Sequence, residues 1–525
     1  MSTSLKACRL YITPLSPIHI GSGEDYMDTE YIIDDGVLHA CDLAKLLQPS
    51  PPAWLRRLGE TALNIGSNQD ASAARQSIRA EFLRHKTELL SLTIRIAAVT
   101  PGISRLYQNV TAAVQNTPSY QRPNYRPPQG VLNQLAIKRT IYTSNDQLAY
   151  IPGSSLKGAL RTAILDQFRN GHPSPTSNNW EKELLGGGFD QDPFSALACG
   201  DIMPNACCYT EIGFAINRRR RIPQTNDRNE KGPPQQLETI PAFAARAFQG
   251  MLIFNRERFT RITTAPGNFP MQVQQLAAAC NNFYQPHFQK EISIFEKRGL
   301  DLQWLQQVQA LMAEAEPRFK TGKAWICRIG QHSGAECLSL NEWRKIKVMT
   351  GKDINTGKMR FEDRKEATTT WFYAADSMQN QGLLPFGWVL IEAVEDGQEL
   401  PTWPKLEEAA QSFKAGQAKL KTRVLYLQSP PATTNRPTAA KTQDQLEPET
   451  RGRIQQIQQT PIKAMSGAVA NWHDQWLPRV PAKDRLALRQ AMADQLRKWK
   501  EKDPKAFETR AQKLSWLKPF LDEVK

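Results

Sequence analysis

The stretch YIPGSSLKGALR, Tyr150 to Arg161, decides how the rest of the sequence is read. A short apolar run ends in Pro152-Gly153, and Ser154-Ser155 open a helix running from Leu156 to Phe168, so the local order is strand, glycine turn, helix. A helix start presents amide N–H groups and the positive end of the helix dipole, and Ser154, Ser155, Lys157 and Arg161 surround it with donors and charge. This composition suits a phosphate. It does not match G-x-x-x-x-G-K-[ST], so a nucleotide-hydrolysing loop is not supported. The plainer reading is that Ser154 or Ser155 caps the helix while Lys157 and Arg161 face water.

Outward from this window, Leu10, Ile12 and Ile18 to Ile20 alternate as a strand entering a glycine loop, Gly21-Ser22-Gly23, and a hairpin over Tyr31 to Leu38 turns at Asp34-Asp35-Gly36. Asp42 is placed to cap a short helix, Leu43 to Leu47, and Ala71 to Leu90 reads as helical. Asn116 to Gly130, with four prolines, reads as loop. Ile137 to Tyr142 and Leu148 to Ile151 read as paired strands about Ser144-Asn145-Asp146. Further strands are expected at Cys208 to Ile216, Met251 to Phe254, Ala324 to Ile329, Glu336 to Leu340 and Trp388 to Val394, with helix over most of Met271 to Ala315. The class is α+β.

With 525 residues and roughly 150 per domain, three or four units are expected, large enough to bury a core without disulfides. Lys and Arg number 67 against 52 Asp and Glu, a net +15, which points to an anionic partner. Residues 401–525 hold 23 basic and 13 acidic side chains, so +10 of that charge lies in the tail. Residues 428–449 have linker composition. Beyond them Leu488, Met492, Leu496 and Trp499 recur at helical spacing among Arg489, Arg497, Lys498 and Lys500, a small basic helical module whose charges are solvated, clamp RNA, or dock a protein. No apolar run reaches 18 residues, the start lacks a secretion signal, and eight cysteines contain no C-x-x-C pair, so a reduced, cytoplasmic protein without a membrane segment is expected.

Two more windows offer contacts for a polyanion. Arg328-Ile329-Gly330-Gln331-His332-Ser333-Gly334 joins two expected strands through a glycine loop, and Arg218-Arg219-Arg220-Arg221 follows a strand exit, where a solvated loop is the competing reading. His19 lies near Asp25 and Asp28 and could act as a base on ribose hydroxyls, yet its flanks Ile18 and Ile20 suit a core histidine bonded to backbone. No H-E-x-x-H, G-x-S-x-G, dinucleotide fingerprint or two-metal carboxylate set is present, so no catalytic residue, metal or cofactor is assigned.

Ser16-Pro17-Ile18-His19-Ile20-Gly21-Ser22-Gly23, Tyr150 to Arg161, and Leu384-Pro385-Phe386-Gly387-Trp388, in this order, resemble the RAMP superfamily of CRISPR effectors. Glu30 to Asp34 followed by Leu38 to Leu47 looks like the family of the fifth subunit of the type III-A Csm complex. The resemblance covers about residues 5 to 425. It implies two ferredoxin-like (RNA-recognition-motif-like) domains with helical insertions, 1–205 and 206–427; the linker 428–449 and the basic helical extension 450–525 lie beyond it and rest on composition and spacing alone. It implies a non-catalytic, RNA-binding subunit that caps a filament of Csm subunits at the 3′ portion of the guide crRNA and supports its maturation in antiviral defence through host nucleases. Carried over, Gly153, Ser154, Ser155, Lys157 and Arg161 would hold guide phosphates, His19, Gly21, Ser22 and Gly23 would pack beside them, and Arg328, Gly330, His332 and Gly334 would form the late loop. Relatives of this fold cleave RNA, so the alternative is a metal-independent endoribonuclease for repeat RNA with His19 as base; Asp25 and Asp28 fall where filament subunits carry a cleaving aspartate.

Overall fold

In the computed structural model the described residues are 5–42, 53–56, 78–115, 135–175, 179–205, 208–222, 232–353, 356–395, 398–428, 448–477, 480, 485–514, 516–517 and 520–521. The chain separates into two compact units, 1–429 and 430–525. The expected helix Leu43 to Leu47, the loop Asn116 to Gly130 and nearly all of the linker lie outside the described residues.

The larger unit is built on two sheets, and the α+β reading holds. The first sheet centres on Leu5–Pro14, which pairs antiparallel with Phe248–Asn255 on one side and Trp388–Val394 on the other. Leu197–Cys199 extends one edge and Ala324–Arg328 the other. Along the chain Leu5–Pro14, helix Gly153–Arg169, Leu197–Cys199, Phe248–Asn255, helix Val273–Arg298 and Ala324–Arg328 follow the ferredoxin-like strand–helix–strand–strand–helix–strand order, and Trp388–Val394 is a fifth strand inserted between Leu5–Pro14 and Ala324–Arg328. Trp388–Val394 is buried along its whole length because helices cover it, which is why it reads as a continuous apolar run.

The second sheet runs Gly21–Tyr26, Ile137–Thr140, Gln235–Thr239, Glu211–Arg219, Thr93–Val99, Val37–Cys41, Tyr31–Asp34, with Thr369–Ala374 also on Glu211–Arg219. Both sheets take strands from before and after residue 205. The Tyr31–Cys41 hairpin turns where expected, with Asp35 at φ 43° and Gly36 at φ 73°, the two positive values a two-residue primed turn demands.

Three local expectations are corrected. Gly21-Ser22-Gly23 is not a loop: Gly21 pairs with Thr140 and Asp25 with Lys138, and a bulge between them absorbs Gly23 at φ 84°. Glu336 to Leu340 is not a strand: Gly334 at φ 76° turns the chain into a short 3₁₀ segment, Ala335–Leu338, which draws the Glu336 carboxylate inward. Leu148 to Ile151 pairs only through Tyr142↔Ala149 and Thr143–Leu148, and Ile151 pairs with Ile202 instead.

The smaller unit has its own core, in which Leu488, Met492, Leu496 and Trp499 meet Trp472, Val469 and Phe507. The apolar stripe of the tail is therefore a packing face. Asp503 caps the helix Pro504–Lys513, accepting from the Ala506 amide at 3.2 Å, with Pro504 in the first turn. Among the described residues no helix is long and apolar enough to cross a membrane.

Candidate nucleic-acid interface

Three bends far apart in sequence are laced together at one end of the first sheet. The Gly387 amide donates to the Pro17 carbonyl at 2.9 Å, the Ile329 amide to Gly387 at 2.9 Å, and the Gln331 amide to His19 at 2.8 Å. The glycines make this approach possible. Gly387 (φ 83°) and Gly330 (φ 82°) occupy the left-handed region, and a Cβ on them would stand 2.3 Å from the Ile329 oxygen and 2.5 Å from the His19 oxygen. Arg328 lies beneath, buried, with Nη1 3.1 Å from Glu291, Nε donating to the Phe386 carbonyl at 2.8 Å, and its guanidinium 5.0 Å from the Trp388 ring centroid. It therefore anchors the Phe386–Gly387 turn.

Two histidines face this junction. His19, 1% exposed, has Nδ1 2.6 Å from the Glu238 carbonyl oxygen. A carbonyl only accepts, so Nδ1 carries the hydrogen and Nε2 is bare, directed toward Gly21. Burial lowers its pKa. His332 takes φ 65° and packs 4.6 Å from Trp371 and 5.2 Å from Phe386, its Nε2 buried without a hydrogen-bond partner. Burial, and then the charges of His19 and Lys138, push its pKa down to about 4.

A pH dependence follows from that sign. A histidine whose folded pKa lies below its unfolded value near 6.5 leaves stability untouched above pH 6.5, and stability falls as the pH drops toward 4, because only the unfolded chain takes up the proton. His39 and His287, also lowered to about 4 by burial, act in the same window. The urea midpoint is expected to decline between pH 6.5 and 4, and less steeply in His332→Asn, which tolerates positive φ. Identical pH profiles for the two proteins would rule this out.

The start of helix Gly153–Arg169 is engaged with protein. The Gly153 amide donates to Asp201 Oδ1 at 2.8 Å and the Ser155 amide to the Pro152 carbonyl at 2.9 Å, while a Cβ at Gly153 would lie 2.3 Å from the Cys199 oxygen. This glycine lets the helix sit against the Cys199–Gly200 backbone. Ser154 is exposed and Ser155 and Lys157 half-buried, so their side chains remain reachable from solvent. Arg161 is held by Glu181 at 2.7 Å and Asp192 at 2.9 Å, with its guanidinium over Phe194.

The arginine run divides in the same manner. Arg218 is buried and bonds the Asn217 carbonyl, Arg220 makes a two-pronged pair with Glu336 at 2.6 and 2.9 Å, Arg219 is half-buried, and Arg221 is exposed. Burial works to raise the Glu336 pKa, but the bonds and charge of Arg220 overcome it and bring it down to about 2. Gly334 sits beside the Arg328 and Glu336 side chains. Gly21, Gly23 and Asp25 are exposed and Ser22 half-buried, whereas Asp28 is buried next to Arg79.

One feature escaped the sequence reading. Ile346–Lys352 and Met359–Arg364 form a separate two-stranded hairpin. Its second strand is exposed throughout, and Met349, Met359 and Phe361 are among its exposed side chains. Residues 345–365 hold seven Lys and Arg against three Asp and Glu. A basic hairpin with bare apolar tips is suited to an anionic backbone whose bases are open to stacking. The clue in the sequence was the cation spacing of Lys345, Lys347, Lys352, Lys358, Arg360 and Arg364.

Residues 11–258 match the model of the RAMP superfamily. A curated protein of Methanocaldococcus jannaschii, named CRISPR system Cms protein Csm5, is 27% identical over 154 residues, 29% of each chain. The match thus spans under a third of that relative's length. Two solved structures align over larger shares: a chain of a Csm–crRNA–target RNA ternary complex of a type III-A CRISPR-Cas system (TM-score 0.42, 16% identity, 74% of this chain and 100% of that one), and T. onnurineus Csm5 (TM-score 0.39, 15% identity, 73% and 99%).

Proposed function

From a chain whose residues 11–258 match the model of the RAMP superfamily, we propose a Csm5-type subunit of a type III-A CRISPR ribonucleoprotein, which binds guide crRNA and neighbouring Csm subunits without cutting RNA. The observation that carries this reading is the match to the Csm5 relative together with a superfamily match that takes in the Pro17–Gly23 bend and the helix start at Gly153. The remaining roles are proposed with it: capping the filament at the 3′ portion of the guide, and supporting guide maturation through host nucleases.

In this reading the residues divide into three groups. Gly21, Ser22, Gly23, Ser154, Ser155, Lys157, Arg219, Arg221 and the basic hairpin meet the sugar–phosphate backbone, because they lie at or near the surface. His19, Arg328, Gly330, His332 and Gly334 shape the bends from within, while Gly153, Arg161, Arg218 and Arg220 are engaged with protein partners beside the RNA path. Phosphate contacts fix register while base pairing carries the guide's information, so no base-reading side chain is required. The endoribonuclease alternative needs His19 Nε2 beside a ribose hydroxyl, and a ring 1% exposed does not reach one.

Phosphate binding displaces counterions, so each cation contributes to the salt dependence. With full-length protein and guide RNA, plots of log affinity against log salt are expected to become shallower by about one for Lys157→Ala and again for Arg360→Ala on the hairpin. Unchanged slopes in both variants would remove these side chains from the interface.

A further inference from the structure

A cavity of about 290 Å³ opens between helix Gly153–Arg169 and the segment Leu338–Lys345, apart from the laced bends. Its walls carry two indoles, Trp180 and Trp343, packed edge to face with ring centroids 5.8 Å apart. Leu165, Leu340 and Pro175 line it too, and Leu338 stands exposed at 67%. Such walls accept a flat ring.

Charge in this cavity is not balanced within the protein. Arg161 is answered by Glu181 and Asp192. Arg344 also lines the cavity and is only 7% exposed, yet no carboxylate pairs with it among the described residues. Its Nη2 donates to Asn341 Oδ1, and its Nε is buried with no partner at all. The nearest acid in that chain of bonds, Asp166, is already taken: it accepts from the Asn341 amide at 2.6 Å and side chain at 2.9 Å, and pairs with Arg169 at 3.1 Å. Exposed Lys345 stands next along the wall. A buried guanidinium without a counter-charge is costly, and an anion brought by a ligand supplies what is missing.

We propose that this cavity binds a single nucleotide, its base against Trp180 and Trp343 and its phosphate on Arg344 and Lys345. Aromatic side chains stack on any base, and the arginine fork matches a phosphate. The nucleotide is either one unstacked unit of an RNA chain or a free mononucleotide. The site does not depend on membership of a guide-RNA complex, and variants at Lys157 leave it intact, so its failure is separate from failure of the proposed function.

The test uses the full chain with two probes: equilibrium dialysis against labelled UMP, and ultraviolet crosslinking to a single-stranded uridine oligomer with the crosslinked peptides sequenced. Retention of UMP assigns a free-nucleotide site, and crosslinks at Trp180 or Trp343 without UMP retention assign an RNA unit. Either readout is expected to fall at least ten-fold in Arg344→Met while the unfolding midpoint is unchanged or higher, since an uncompensated cation has been removed. If Arg344→Met does not fold, Thr162→Trp, which fills the cavity from a half-buried wall position, takes its place. Neither UMP retention nor crosslinks at these indoles, or binding within two-fold of the parent in the folded variant, overturns the site.

Discussion

Alanine at Arg328 is expected to lower the stability of the larger unit by about 3–5 kcal/mol, read from the urea midpoint of the full chain. The guanidinium is 5% exposed and the Glu291 side chain 8%. Removing the cation leaves the Glu291 carboxylate buried with the Trp388 indole N–H but without opposite charge, and it also frees the Phe386 carbonyl. A buried pair contributes little net stability as a pair, yet losing one member costs the full desolvation of the other. The double variant Arg328→Met with Glu291→Leu should therefore recover most of the loss. A cost below about 1 kcal/mol for Arg328→Ala would show that Glu291 finds water or another donor.

Gly387→Ala is the second large effect. Gly23 and Gly387 share nearly the same backbone, at φ 84° and 83°, so each should incur about 1–2 kcal/mol when a Cβ is forced into the left-handed region. Their surroundings differ. Nothing lies within 4 Å of a Cβ on Gly23, whereas on Gly387 it meets the Ile329 oxygen at 2.3 Å and Ser333 Oγ at 3.1 Å. Relief requires parting Gly387 from Ile329 and Pro17, whose backbone bonds join the bends. Gly387→Ala is expected to exceed Gly23→Ala by about 2 kcal/mol, two backbone hydrogen bonds, with faster amide exchange at Ile329 and Gln331. Equal midpoints for the two variants would mean that the bends are not mutually dependent.

The elements were legible where local chemistry fixes them. Trp388–Val394 and Ala324–Arg328 announce themselves as apolar runs, Asp34-Asp35-Gly36 as a turn, and Leu488 to Trp499 as a packing stripe. What the sequence conceals is partnership across distance. Arg161, Arg220 and Arg328 look like solvent-facing cations until Glu181, Glu336 and Glu291 are seen beside them, 20 to 116 residues away. The same holds for glycine: at Gly153, Gly330 and Gly387 the missing Cβ admits another segment's backbone. Glu336 to Leu340 alternates well enough for a strand, but the pull of Arg220 on Glu336 and the positive φ of Gly334 decide otherwise. Nor does periodicity reveal the Ile346–Arg364 hairpin, whose first strand buries only Val348 and whose second is exposed throughout.

Leu5–Pro14 precedes both of its neighbours in the sheet, Phe248–Asn255 and Trp388–Val394, along the chain. On a ribosome adding roughly 5–20 residues per second, its second neighbour emerges some 20–80 seconds after it. Throughout that interval one edge of a largely apolar ribbon is open to other nascent chains. Slow codons between positions 255 and 388 would lengthen that exposure.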